Sequence, residues 1–428
     1  MTKNTLLIAV TVTLLHANAH AVDIGPFTIT GFAKAEFSRT SNICEDCQAV
    51  PGEDRQRPWA DPIAPGKPFG TVTSPVATLI QPYIATKEFD LGQGWRIKGL
   101  YSQRWRDGNI DIPGVTYETN ATLLHEDYGS LQVGKFPARA WSVADYPYGT
   151  QIGVADAWGA SGSGYGLLQR AIRYGVPLMD VAGGDFHLET TVDFGDAAFK
   201  KYKPMLIEVY GQYVKGPWVL DGIYQSARNG RPSAWTHGPF IGIADDASVE
   251  HLINDDNRQS ILMLMARYQY NAKTVLFGGV RHNRWSGARA SYLDQDAAGN
   301  DLWAPFFNVD GVAGGDLAYS ASSTDFSLGA TYRIDEKWSM STGMVYLGKA
   351  KTANPVERGQ SNSMMLNAVG VGYDVRPGLN VYAFTGMVNY GKKGLAPLSM
   401  PSHASFSGVD SRVAKSGNWF GVGAVYTW

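Results

Sequence analysis

Cysteine is nearly absent: the 428 residues hold 2, both in the run Cys44-Glu45-Asp46-Cys47. So few thiols exclude a scaffold stapled by several disulfides. Without a third or fourth soft ligand nearby, a metal or redox role is disfavoured against a local disulfide between Cys44 and Cys47 in an exposed loop. An excess of charge of either sign is also missing, with 37 Lys plus Arg against 39 Asp plus Glu. That balance implies no polyanion, and hence no nucleic acid, as a partner. Long hydrophobic runs are lacking too. The run Leu6 to Leu15 spans about ten residues, half of what a helix needs to cross a bilayer, and no stretch shows a convincing helical stripe.

Catalytic patterns are equally sparse. In Gly159-Ala-Ser161-Gly-Ser163-Gly-Tyr-Gly166 neither serine sits in a Gly-x-Ser-x-Gly elbow, and the glycines miss dinucleotide and phosphate-loop spacings, so the stretch reads as a flexible loop. No His-Glu-x-x-His pair occurs. Asp294 to Asp301 has the look of a calcium loop but places Ala298 and Pro305 where ligands are required. Neither metal nor cofactor is expected, and no nucleophile stands beside a base to suggest an enzyme.

What is present begins at the N-terminus. Lys3, the short apolar run and the small residues of Ala19-His20-Ala21 read as a secretory signal peptide over 1–21. The remainder, 22–428, reads as one domain. Strand after strand follows, separated by turns, in a chain with 49 glycines and 12% aromatic residues. From Phe27, the odd positions Ile29, Gly31, Ala33, Ala35 and Phe37 are apolar or small, while Thr28, Thr30, Lys34, Glu36 and Ser38 fill the even set. At the other end Phe420, Val422, Ala424, Tyr426 and Trp428 oppose Gly421, Gly423, Val425 and Thr427. Each such strand has one greasy side and one small or polar side.

Connections alternate between short turns and long polar segments such as 41–72, 229–258 and 288–319, the asymmetry of an outer-membrane barrel with brief periplasmic turns and long outer loops. Tryptophan recurs at or near strand ends, as Trp95, Trp218, Trp338 and Trp428, where a half-wet interfacial ring belongs. A soluble sandwich would alternate as well, but it gives no reason for Trp at repeated turn edges. The expected fold is therefore all-β: a transmembrane antiparallel barrel. At roughly 25 residues per strand plus loop it would have about 16 strands, with 14 to 18 allowed.

On the water-facing positions cations gather: Lys34, Arg96, Lys98, Arg104, Arg106, Arg267 and Arg281. In a narrow lumen with low-dielectric walls such a row attracts small anions, unless each member is solvated or paired with a carboxylate such as Glu36. Between Gly134-Lys135-Phe136-Pro137-Ala138-Arg139 and Arg170-Ala171-Ile172-Arg173-Tyr174 lies a segment of about thirty residues, long enough to suggest a task. Folded inward, it would narrow the lumen and set Asp145 and Asp156 against the basic wall. Lys135, Arg139, Arg170 and Arg173 then join the candidate lining.

Several motifs together resemble the general porins of Gram-negative bacteria, the trimeric sixteen-stranded type of β-proteobacteria. They are the signal peptide, Ile29-Thr-Gly-Phe-Ala-Lys34, Tyr128-Gly-Ser-Leu-Gln-Val-Gly-Lys135, Ala171-Ile-Arg-Tyr174 and the closing aromatic strand. The resemblance covers all of 22–428 and implies a homotrimer in the cell outer membrane, in contact with membrane lipid and lipopolysaccharide. It implies passive diffusion of small hydrophilic solutes, with anions favoured. It matches Gly134-Lys135 to the Gly-Arg that opens the constriction loop, and Arg173-Tyr174 to the Arg-Tyr that closes it. The chain departs from the family at Gln169-Arg170-Ala171, where an Asp-Asn-Ser is usual, and at Trp428, where Phe is usual. A channel specific for carboxylates is the runner-up, ahead of an outer-membrane hydrolase or a secreted soluble β protein.

Overall fold

A computed structural model describes residues 21–41, 76–106, 108–110, 116–145, 156–159, 161–163, 166–194, 205–228, 258–286, 320–349, 351–352, 363–393, 397, 399 and 415–428. The signal-peptide assignment, Cys44 and Cys47 lie outside these residues, as do the side chains of Asp145 and Asp156. The chain forms a closed antiparallel barrel of sixteen strands. The first eight are β1 (Phe27–Ser41), β2 (Val76–Thr86), β3 (Trp95–Ser102, continued by Trp105–Arg106), β4 (Glu118–His125), β5 (Gly129–Pro137), β6 (Leu167–Gly175), β7 (Gly184–Asp193) and β8 (Met205–Lys215). The others are β9 (Trp218–Arg228), β10 (Arg258–Asn271), β11 (Thr274–Ser286), β12 (Ala321–Arg333), β13 (Trp338–Leu347), β14 (Met364–Arg376), β15 (Leu379–Tyr390) and β16 (Ser416–Thr427). Each pairs with its sequence neighbours, and β1 pairs with β16, so no sheet edge is left open.

Alternation decides which side of the wall each residue takes. Leu262, Leu264 and Tyr270 of β10 are exposed on the outside, while Ile261, Met263 and Met265 are buried within. A one-residue slip would exchange these faces, so the register is strongly specified. Around the barrel the exposed outer residues form an apolar band that includes Val133, Ile172, Leu220, Phe326, Leu328, Met340 and Val422. Membrane strands need just such a band.

Aromatic rings gather along the rim of short turns. Trp95 stacks on Tyr128 with centroids 5.7 Å apart, and Tyr128 in turn accepts a hydrogen bond from Tyr174 Oη at its carbonyl. Trp218 meets Tyr268 at 4.4 Å, Trp338 meets Tyr373 at 4.8 Å, and Trp428 stacks on Tyr426 at 6.0 Å. The turns themselves are built by side chains: Asp335 accepts the backbone N–H groups of Lys337 and Trp338, both at 2.8 Å, and these bonds hold its carboxyl below the usual range.

The closure of the barrel depends on a close approach. The backbone N–H and C=O of Gly31 bond to those of Trp428 at 3.0 and 3.1 Å. A Cβ on Gly31 would lie 2.6 Å from the Gln81 carbonyl oxygen and 2.7 Å from the Trp428 ring, so glycine lets the last aromatic lie flat on the first strand.

Candidate functional site

The segment after β5 folds into the lumen. It contains two short helices, α1 (Arg139–Asp145) and α2 (Asp156–Gly159). Its apolar residues Ala140, Val143, Ala144 and Trp158 join a buried cluster with Tyr210, Ile223, Met263, Met265 and Phe277 from the inner faces of β8 to β11. Apolar residues on the inner face of a water-filled barrel need a cover, and the loop is that cover.

Charge fixes the loop at both ends. At the start, Glu208 is wholly buried and accepts the N–H groups of Arg139 and Ala140 at 2.8 and 3.0 Å, placing a carboxylate at the first turn of α1. Gln225 donates to the same carboxylate at 2.9 Å. The Arg139 guanidinium meets Glu189 in a forked pair at 2.5 and 2.7 Å. Arg173 packs over Phe136, donates to Thr191 and the Pro137 carbonyl at 2.9 and 3.0 Å, and stands 3.5 Å from Glu208.

At the far end Arg281, 1% exposed, donates to the carbonyls of Trp158 and Ser161 at 2.7 and 2.6 Å and to Asp325 at 2.8 Å. Gly162 has φ of +93°, and a Cβ there would lie 2.6 Å from the Arg281 guanidinium carbon, so only glycine lets the loop backbone lie on the arginine. Ser163 closes the contact through Asn283 and the Ser260 carbonyl. Expected to be a flexible stretch, this part of the glycine-rich run is instead held in place: Ser161 and Ser163 are buried. A second inward point comes from the connection between β15 and β16, where the Ser399 carbonyl accepts the Gly162 N–H at 2.7 Å.

The inner face of β1 to β3 carries a row of cations, of which Arg104 is itself buried at 9% exposure. Lys34 pairs with Glu36 at 2.8 Å, and Tyr382 donates to that carboxylate. Arg96 and Lys98 share Glu88 at 2.7 and 3.7 Å, near the short-turn rim. Arg104 donates to Gln81 at 2.7 Å and lies 4.5 Å above the Tyr117 ring, with Trp141 of α1 6.0 Å away, so it bridges wall and loop. Arg106 lies on the same inner face, in register with Leu79. Arg267, half-exposed, makes no ion pair or hydrogen bond among the described residues.

The sequence-expected lining therefore divides. Lys34, Arg96, Lys98, Arg104, Arg106 and Arg267 take inner positions, whereas Arg173 and Arg281 are sealed beneath the loop and Arg139 is largely covered. Lys135 is a correction. Alternation runs from outer Leu131 and Val133 through it, its register partner is Thr119 of the outer face, and Phe136 beside it points inward, so Lys135 belongs to the outer wall. Arg170 is exposed at a register irregularity between Leu168 and Ala171. Sequence reasoning missed Glu118, Glu189, Glu208, Asp221 and Asp325, all inner-face carboxylates that are at most 9% exposed. Their signal was a lone acid on the inner set of an otherwise strand-like run, as in Leu206-Ile-Glu208-Val-Tyr210.

No family model and no curated protein matches this chain. Solved structures do match in fold. OmpT of Vibrio cholerae, described as outer-membrane expressed, shares 14% identity over 96% of this chain and 100% of its own, with a TM-score of 0.56. An anion-selective porin from Comamonas acidovorans shares 10% over 94% and 99%, with a TM-score of 0.57. The outer membrane channel DcaP of Acinetobacter baumannii shares 11% over 94% and 97%, with a TM-score of 0.54. The fold is that of a Gram-negative outer-membrane barrel. The apolar band, the aromatic rim and the closed strand order all agree with it.

Proposed function

We propose that the protein is an outer-membrane channel through which small hydrophilic solutes diffuse passively, with anions favoured. The observation that carries this reading is the inner face of β1 to β3, where Lys34, Arg96, Lys98 and Arg106 sit on one side of the lumen and Arg104 lies more deeply, against Trp141 of α1. A row of cations in a water-filled, low-dielectric passage focuses a positive potential along the path of a solute. Glu36 and Glu88 offset part of it, and Arg267 adds a cation of its own on β10. No covalent step is involved, and the outer membrane is the site of action. The fold likeness to an anion-selective porin supports the reading, and a trimeric form among the fold neighbours supports assembly as a homotrimer.

The test is the reversal potential of the purified channel in a planar bilayer under a potassium chloride gradient. An anion-favouring potential is expected, and cation preference would overturn the assignment of the basic wall. A second reading, a channel specific for carboxylates, draws on the forked geometry that Arg267, which makes no ion pair among the described residues, can offer. Saturable block of chloride current by a small carboxylate would favour it over the general pore.

A further inference from the structure

Two aromatic side chains lie flat on the lumen wall beside the seam of the barrel. Tyr382 and Phe384 are successive inner residues of β15, on the face opposite the exposed Val381 and Met387. Their register partners are Gly423 and Gly421 on β16, and Gly372 and Gly370 on β14, so each ring has a glycine on either side. A Cβ on Gly421 would lie 2.3, 2.6 and 3.0 Å from Cζ, Cε1 and Cε2 of Phe384, and one on Gly423 would lie 2.6 Å from both Cζ and Oη of Tyr382. Such near-equal distances to several ring atoms place each glycine beneath the face of a ring and not at its edge. The centroids are 6.2 Å apart and the planes 23° apart, so the two rings make one nearly continuous floor whose upper face turns to the lumen.

Phe277 lies on Gly329 in the same manner, with Cε2 2.3 Å and Cζ 2.4 Å from a Cβ placed there, but it is sealed in the cluster beneath the inward loop. Tyr382 and Phe384 are only half-buried and keep a face open to solute. Polar groups border the floor at one end. Tyr382 Oη donates to Glu36 at 2.8 Å, Lys34 pairs with the same carboxylate at 2.8 Å, and Lys34 Nζ stands 5.7 Å from the centre of the Tyr382 ring. The ion pair is neutral in sum and offers both a donor and an acceptor.

The face of an aromatic ring carries negative potential and attracts the slightly positive C–H groups of a saturated ring held flat against it. A pyranose sugar has that shape, with C–H groups on its faces and hydroxyls around its rim. At this floor an anionic solute meets repulsion from Glu36 and from the ring faces. We infer that Tyr382 and Phe384 form a binding floor for neutral pyranose sugars, with Lys34 and Glu36 taking rim hydroxyls. The inference rests on the reading of the protein as a channel, to which it adds a neutral substrate class beside the anions.

The test is block of chloride current through the purified wild-type channel by cellobiose, whose two pyranose rings match the two aromatic ones. Saturable block is expected, and sorbitol, an acyclic polyol with no ring face, should leave the current unblocked at the same concentration. The variant Y382L/F384L keeps apolar bulk over the glycines but has no flat face. Its half-blocking concentration should rise by roughly tenfold, each ring contact being worth about a factor of two to ten. Its compact heat-modifiable form on electrophoresis reports that it has folded. The swap Y382F/F384Y keeps both faces and should keep the block. Saturation-transfer NMR of cellobiose with the detergent-solubilised protein measures binding without conduction. Transfer to the cellobiose C–H protons from a protein that passes no current would uphold the floor and end the channel reading. A conducting channel that gives neither block nor transfer would end the inference and leave the channel. Equal block by cellobiose and sorbitol, or block that survives in Y382L/F384L, would overturn it as well.

Discussion

The Arg281 guanidinium and the Asp325 carboxylate lie 2.8 Å apart at 1% and 0% exposure, and between them they hold two inward segments of chain. Arginine takes the carbonyls of Trp158 and Ser161, while aspartate accepts the Gly348 N–H at 2.8 Å, Asn283 at 2.7 Å and Ser399 Oγ at 3.4 Å. A buried pair of this kind contributes mainly through what its loss leaves behind.

Changing Asp325→Asn should strand the arginine charge and destabilise the barrel by about 3–5 kcal/mol, read as a lower midpoint for heat-induced loss of the compact electrophoretic form. The double variant R281M/D325L removes both charges, so stability should recover by most of that amount. The loop carbonyls stay unheld in the double variant. Its single-channel current should therefore remain noisier and larger than wild type, and a double variant whose current is as quiet and as small as wild type would refute the role of the pair as a loop clamp.

Glu208 poses a different question because it accepts two N–H groups at the first turn of α1. Glu208→Gln keeps an acceptor but loses the charge that faces the helix start and Arg173. Glu208→Ala loses both, with a cap contribution of about 1 kcal/mol and more from the stranded arginine. Loop docking, read by open-channel noise, should worsen in the order wild type, Gln, Ala. Equal noise in all three would show that the apolar contacts of Val143 and Trp158 suffice without the cap.

The division between legible and hidden features has a physical reason. Period-two alternation is a local property, so β1, β10 and β16 were readable, and so was the sidedness of Arg96, Lys98 and Arg267. The short-turn tryptophans were readable for the same reason, since a ring beside a turn needs no knowledge of its neighbour. Cross-strand register was not readable. The opposition of Arg281 to Asp325 joins residues far apart in sequence, so a cation that looked like pore lining proved to be a buried clamp. Inner apolar residues such as Met263 and Met265 contradicted a watery lumen, and only the docked loop explains them. Lys135 went wrong because it was matched to a motif instead of being followed through the alternation of Leu131 and Val133.

Exposure predicts which cations govern selectivity. A unit charge about 10 Å from the ion path contributes about 0.4 kcal/mol in water before screening. Lys98→Glu and Arg106→Glu each reverse a charge and act oppositely on anion and cation, so each should move the anion-to-cation permeability ratio by roughly threefold toward cations once about one Debye length of screening is included. R281M/D325L removes a sealed and neutral pair, so its ratio should stay near the wild-type value while its conductance changes. Reversal potentials of the three variants in the same salt gradient decide this. A shift in the double variant as large as that of Lys98→Glu would mean that the clamp faces the ion path after all.

Closure of the barrel can be tested at Gly31. Two of the three nearest atoms to a Cβ placed there are backbone, the Gln81 carbonyl oxygen at 2.6 Å and Pro82 Cα at 2.9 Å; the third belongs to the Trp428 ring at 2.7 Å. Backbone cannot swing aside as a side chain does, so Gly31→Ala should force the ladder between β1 and β2 apart, at about 1–3 kcal/mol. Trp428→Ala alone should cost less, since it leaves the backbone bonds between Gly31 and the last residue in place and removes only the ring's contacts with Gly31 and Tyr426. The double variant G31A/W428A separates the two sources of crowding. If the ring were the main obstacle, the double variant would fold as well as Trp428→Ala. Because the ladder is the obstacle, its yield of heat-modifiable barrel should stay at or below that of Gly31→Ala.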